Sequence, residues 1–151
     1  MGSLLTAELL ANIGRKASPR LELVTRKDIR KYAIATGQRL RKYLDGDEAP
    51  PMFHLALFWP VLESAKLSAD GVAIDELLPE FPLKRAMAGG LKIAYHRTIR
   101  PGDVLLANRT LTNIWQKDGS SGPLIFYEIV MTVENERGEP VVTETTTRIL
   151  R

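Results

Sequence analysis

The chain has 151 residues, no cysteine, two histidines and a formal net charge of +3. That length suits one domain, which buries roughly two-thirds of its unfolded surface and needs no covalent staple. The missing cysteines exclude disulfides and thiolate metal sites. His54 and His96, far apart among apolar or basic neighbours, argue against zinc, and the charge is too mild to imply nucleic acid.

Leu5, Leu9 and Ile13 recur at helical spacing and predict a short amphipathic helix. Glu8 and Asn12 interrupt its apolar run and no basic segment precedes it, so it does not read as a secretory signal. A cytoplasmic chain with no membrane span is expected. Gly14–Pro19 reads as a loop, and Leu21 and Leu23 flank Glu22 in a short first strand. Thr25 has the chemistry of an N-cap, with Asp28 three residues on, so a helix is expected over Arg26–Thr36, closed by Gly37. From Arg15 to Lys42 the basic residues are opposed by only Glu22 and Asp28, which makes either a solvated face or a patch for an anionic ligand.

Ala49–Leu67 is almost wholly apolar up to Glu63, and such a segment belongs inside a protein. A long buried helix over Pro51–Leu67 is expected, with Pro50 and Pro51 at its first turn. Pro60 must either bend that helix or divide it at Trp59–Pro60. A loop follows over Ala69–Leu83.

From there the pattern has period two. Leu91, Ile93, Tyr95, Arg97 and Ile99 share one strand face, and the strand can reach back to Arg85. Gly89 and Gly90 break the alternation, which suggests a bulge or a close backbone approach. Turns at Arg100–Asp103, Lys117–Pro123 and Asn135–Glu139 separate strands over Val104–Gln116, Ile125–Val133 and Val141–Leu150. Short turns between consecutive strands give an antiparallel meander. A single α+β domain is expected over residues 1–151, a sheet wrapped around one central helix: the hotdog architecture. Its open edge calls for a partner.

Five segments resemble MaoC-like enoyl-thioester hydratases and dehydratases, in particular the N-terminal-type half of mesaconyl-CoA hydratase-like double hotdogs. They are Thr25–Gly37, Ala49–Phe53, Lys84–Asp103, Gly119–Val133 and Thr145–Arg151, with RAMAGG and RPGD as the most specific pieces. Active members carry G-D-x-N-P-x-H after the first helix, and its aspartate and histidine form the acid–base pair that adds or removes water. Laid on this chain, the motif reads Gly37 to Tyr43, with Gln38 at the aspartate and Tyr43 at the histidine. A glutamine transfers no proton, and a tyrosine, with a pKa of about 10, does so poorly. Pro50 and Pro51 stand where active members offer backbone N–H groups to the thioester oxygen.

The resemblance therefore implies a non-catalytic hotdog subunit beside a catalytic one, with an acyl-CoA or acyl-carrier thioester as substrate and no metal or redox cofactor. The Arg26–Lys42 region would touch the CoA phosphates. Met52, Phe53, Arg85, Gly89 and Gly90 are the candidate contacts to substrate or partner. If the chain has chemistry of its own, Glu63 on the helix, or an acid from Asp45 to Glu48, is a candidate to activate water in a thioesterase. His54 is another, given a carboxylate partner from Asp45, Asp47 or Glu48; otherwise it is a core histidine. A homodimer that only binds acyl thioesters is the remaining alternative.

Overall fold

The computed structural model describes residues 2–151. Its frame is one five-stranded antiparallel sheet, built from β1 (Arg20–Leu23), β2 (Ala86–Tyr95), β3 (Val104–Gly119), β4 (Gly122–Asn135) and β5 (Pro140–Leu150). The strand order is β1-β3-β4-β5-β2, so β1 and β2 are the edges. Of the meander of consecutive strands read from the alternation, β3–β4–β5 forms, but β2 does not pair with β3 across the Arg100–Asp103 turn; it crosses to the far edge and pairs with β5, while β1 takes the place beside β3. On β4, Ile125, Tyr127, Ile129, Met131 and Val133 are all buried, as their period-two spacing requires. The register between β2 and β5 shifts between Ala88 and Gly90, so the glycine pair marks a bulge. A side chain on Gly89 would press within 2.9 Å of Ile149.

Four short helices pack on this frame: α1 (Ala7–Leu10), α2 (Arg26–Ala35), α3 (Arg41–Leu44) and α4 (Phe53–Leu57). On α2 both ends follow the sequence. The Thr25 hydroxyl accepts from the Asp28 N–H, and Gly37 takes the left-handed conformation beyond the last turn. Ile29 and Ala33 on α2 are fully buried.

The long central helix does not form. Of Pro51–Leu67, only Phe53–Leu57 is α-helical, followed by a single 3-10 turn at Ser64–Lys66. Proline explains the stop. Pro60 has no N–H for the Ala56 carbonyl, and its ring drives Trp59 out of the helical region. The Arg20 guanidinium then closes the helix by donating to the Phe58 carbonyl at 2.6 Å. Beyond that point the chain leaves the core, with Trp59 72 % and Val61 98 % exposed. It returns where Asp75 meets Arg109 at 2.5 Å and Leu77 is fully buried.

Two apolar clusters make the core. One joins Val24, Ile29, Phe53, Phe58, Leu105, Met131 and Val142. The other joins Leu9, Leu77, Phe81, Leu111, Ile114, Ile125 and Leu150. Gly46, between α3 and the Pro50 turn, is buried at φ +74°, and a Cβ there would lie 2.8 Å from the Arg26 carbonyl oxygen and Cγ. Gly46→Ala combines a disfavoured conformation with a clash against backbone. It is expected to cost about 2 kcal/mol of stability. Urea denaturation with an unchanged midpoint would refute this.

Candidate functional site

A cleft of about 320 Å³ opens between the Glu48–His54 segment and residues 95–99, at and just beyond the end of β2. Tyr43 and Lys42 from α3 reach its wall, as do Met52, Phe53, His54 and Tyr95. The geometry follows from two turns. Gly37 ends α2 and sends the chain into α3, while Pro50–Pro51 force a turn before α4. That turn places Met52 in the left-handed conformation, φ 66° and ψ 4°. Met52 is the only non-glycine residue at positive φ among the described residues. Such a conformation costs about 1 kcal/mol for an L-residue. The Tyr95 hydroxyl offsets part of it by accepting from the Met52 N–H at 3.0 Å.

His54 lies at the inner wall, 1 % exposed. Its Nε2 is 2.6 Å from Oε2 of Glu144, itself only 7 % exposed. The other carboxylate oxygen accepts from the Thr146 hydroxyl at 3.0 Å. Burial raises the Glu144 pKa, but hydrogen bonds from His54 and Thr146, with the fields of His54 and Arg109, outweigh it and hold the carboxyl below its ordinary value. Glu144 is thus an ionised acceptor, so Nε2 carries the proton and donates. Nδ1 has no hydrogen-bond partner and is the only such buried side-chain polar atom among the described residues. The Tyr95 ring stands edge-on to the imidazole at 6.3 Å.

Sequence reasoning sought the partner of His54 among Asp45, Asp47 and Glu48. The structure corrects this. Asp45 is bound by Arg41, Asp47 by Arg26 and Glu48 by Lys42 and Arg100. The same pairs occupy three of the cations expected to form a phosphate patch. Glu144, the acid that does meet His54, comes from β5, and only one cue marks it. It is a lone carboxylate on the inward face of a strand, in phase with buried Val142 and Leu150.

The other candidates scatter. Phe53 is buried against Tyr32, ring to ring at 5.7 Å, and Met52 is half-exposed on the cleft rim. Arg85, Gly89 and Gly90 are exposed and form no part of the cleft wall. Glu63 is exposed, outside the cleft, at the start of the 3-10 turn. Trp59 is on the surface, and Trp115 stacks on Phe126 at 5.2 Å on the outer sheet face. Gln38 is half-buried and not on the cleft wall; Tyr43 is on it.

Five antiparallel strands in this order, with helices on one face and a cleft between the α4 turn and the end of β2, define a hotdog domain of the MaoC-like hydratase and dehydratase class. The family described as "FAS1-like, dehydratase domain region" matches residues 11–144, and the chain belongs to it. It is 35 % identical over 81 residues to mesaconyl-C(4)-CoA hydratase of Chloroflexus aurantiacus, a stretch covering 53 % of this chain but only 29 % of that protein. Among solved structures, the ChsH1–ChsH2 complex from Mycobacterium tuberculosis superposes with a TM-score of 0.70 at 18 % identity, over 95 % of this chain and 87 % of that one. The HadBC (3R)-hydroxyacyl-ACP dehydratase complex from the same organism gives 0.62 at 17 %, over 91 % and 96 %. These structural likenesses establish the fold. No helix among the described residues is long and apolar enough to cross a membrane.

Proposed function

We propose that this chain is the non-catalytic, N-terminal-type hotdog subunit of a MaoC-like acyl-thioester hydratase or dehydratase. A second hotdog subunit would supply the aspartate–histidine pair. The observation that carries the reading is that Tyr43, at the motif position of the active members' histidine, lines the cleft, and that Gln38 stands at the motif position of their aspartate. A glutamine has no titratable proton, and tyrosine as a residue type, with an ordinary pKa of about 10, is a poor stand-in for histidine.

Two further features support it. Nine of the ten residues of edge strand β2 are exposed, a template for pairing that a lone chain has reason to cover. The two Mycobacterium tuberculosis neighbours are each described as complexes of two named chains. The carboxylates that a thioesterase would need are either engaged by basic side chains, as at Asp45, Asp47 and Glu48, or exposed outside the cleft, as at Glu63.

Purified alone, the chain is expected to leave crotonyl-CoA unhydrated, as followed by loss of the enoyl absorbance. Co-expressed with a hotdog carrying G-D-x-N-P-x-H, it is expected to form a stable pair that hydrates crotonyl-CoA. Hydration by the chain alone, or failure of any pair to form, sinks the proposal.

A further inference from the structure

The unpartnered Nδ1 of His54 is the feature that the subunit reading leaves unexplained. A buried polar atom without a partner calls for an account, and a missing ligand is one. Its chemistry is defined. Because Nε2–H is spent on the Glu144 carboxylate, the tautomer this contact selects presents a lone pair at Nδ1. Whatever meets it must bring an N–H or O–H. The carbonyl, sulfur and double bond of an enoyl thioester bring none. The arm that carries the thioester does, because pantetheine has two amide N–H groups and a hydroxyl.

We infer that His54 is a binding residue of this subunit, its Nδ1 accepting a hydrogen bond from an amide N–H of the pantetheine arm of an acyl thioester seated in the Glu48–Ile99 cleft. The inference rests on the subunit reading only for the ligand class. The Glu144–His54 contact and the Thr146–Glu144 bond fix the ring and its tautomer, so the acceptor is preorganised. His54 belongs to the cleft wall. Nδ1 itself is closed off in this structure, and the wall beside it is where the backbone is under strain, at Met52. The Tyr95 hydroxyl bond to Met52 N–H holds that turn. The Phe53 N–H donates to the Pro50 carbonyl and the Leu55 N–H to the Met52 carbonyl as well, and this strained turn is the place where the incoming arm would open the wall.

The test uses the full chain, labelled with 15N at histidine. Crotonyl-CoA is added, and separately free pantetheine and a crotonyl-loaded carrier protein. The Nδ1 resonance of His54 is expected to move from the free lone-pair position toward the hydrogen-bonded one with each ligand. Agreement between crotonyl-CoA and free pantetheine assigns the contact to the arm, and the ratio of the two loaded forms' affinities tells which thioester the cleft prefers.

His54→Leu strands a buried carboxylate and is open to misfolding, so the His54→Leu/Glu144→Leu double variant is measured beside it. Loss of one hydrogen bond to the ligand should weaken binding about tenfold in the double variant. Four results overturn the inference: wild type that fails to bind crotonyl-CoA, an Nδ1 resonance indifferent to saturating ligand, an Nδ1 already bonded in the free protein, as an internal water would make it, or a double variant that binds as tightly as wild type. None of these depends on a catalytic partner, so they are separate from the reconstitution that tests the subunit reading.

Discussion

Replacing Met87 and Leu91 together by aspartate is expected to abolish association with a catalytic subunit, and with it all hydration by the pair, while leaving this chain folded. The register puts the two residues on opposite faces of β2. Met87 lies opposite Ile149, on the outer face with Phe126, and Leu91 lies opposite Thr146, on the inner face with Glu144. Both are exposed in the lone chain, so two carboxylates there remain solvated and cost the fold little, about 0.5 kcal/mol or less each. In a pair that covers β2 the same carboxylates lose water. A buried unpaired charge in an interface costs about 2–5 kcal/mol, so even the lower figure twice over weakens pairing on the order of a thousandfold. Sedimentation velocity of the co-expressed chains reads the loss directly. A variant that still pairs and still supports hydration would show that β2 is not the contact.

The second large effect concerns the Glu144–His54 pair. His54→Leu should cost about 3–5 kcal/mol, because it leaves the Glu144 carboxylate buried with only Thr146 to hold it. For a chain of this length that is a fall of roughly 10 °C in melting temperature. The double replacement, His54→Leu with Glu144→Leu, should recover most of the loss. Replacing both partners of a buried hydrogen-bonded pair by apolar side chains is often neutral, about 1 kcal/mol either way, whereas removing one is not. If the double variant is as unstable as the single one, the damage lies in packing around α4 and not in the stranded carboxylate.

The same pair sets a pH limit. The Glu144 pKa is lower in the folded chain than its ordinary value of 4.5. Between the two values the unfolded state binds the proton and the folded state does not, so stability rises with pH across that interval. The contribution is complete above about pH 4.5 and is lost as pH falls through the lower, folded value. Glu144→Gln should flatten this acid limb of the stability profile, as measured by denaturation at a series of acid pH values.

What the sequence determined by itself is what local chemistry and short periods decide. The Thr25 cap, the Gly37 stop, the Arg100–Asp103 turn, the bulge at Gly89–Gly90 and the three long strands are each set by neighbours within a few residues. The stretch from Gly37 to Tyr43 is likewise a linear string, so the proposed loss of the acid–base pair rests on residues that can be read without coordinates.

Tertiary structure decided two things. The first is the length of α4. An apolar run of that composition suits a buried helix, but the run itself does not say whether the core has room for it. Here Pro60 stops it after one turn, Arg20 closes its end, and Trp59 and Val61 go to the surface. The second is the partner of His54. Three acids close in sequence were the natural candidates, and each is bound by a nearby cation. Glu144 stands 90 residues away along the chain. It reaches His54 because β5 lies between β4 and β2 with its inward face turned to α4, an adjacency that strand order creates and no local pattern encodes.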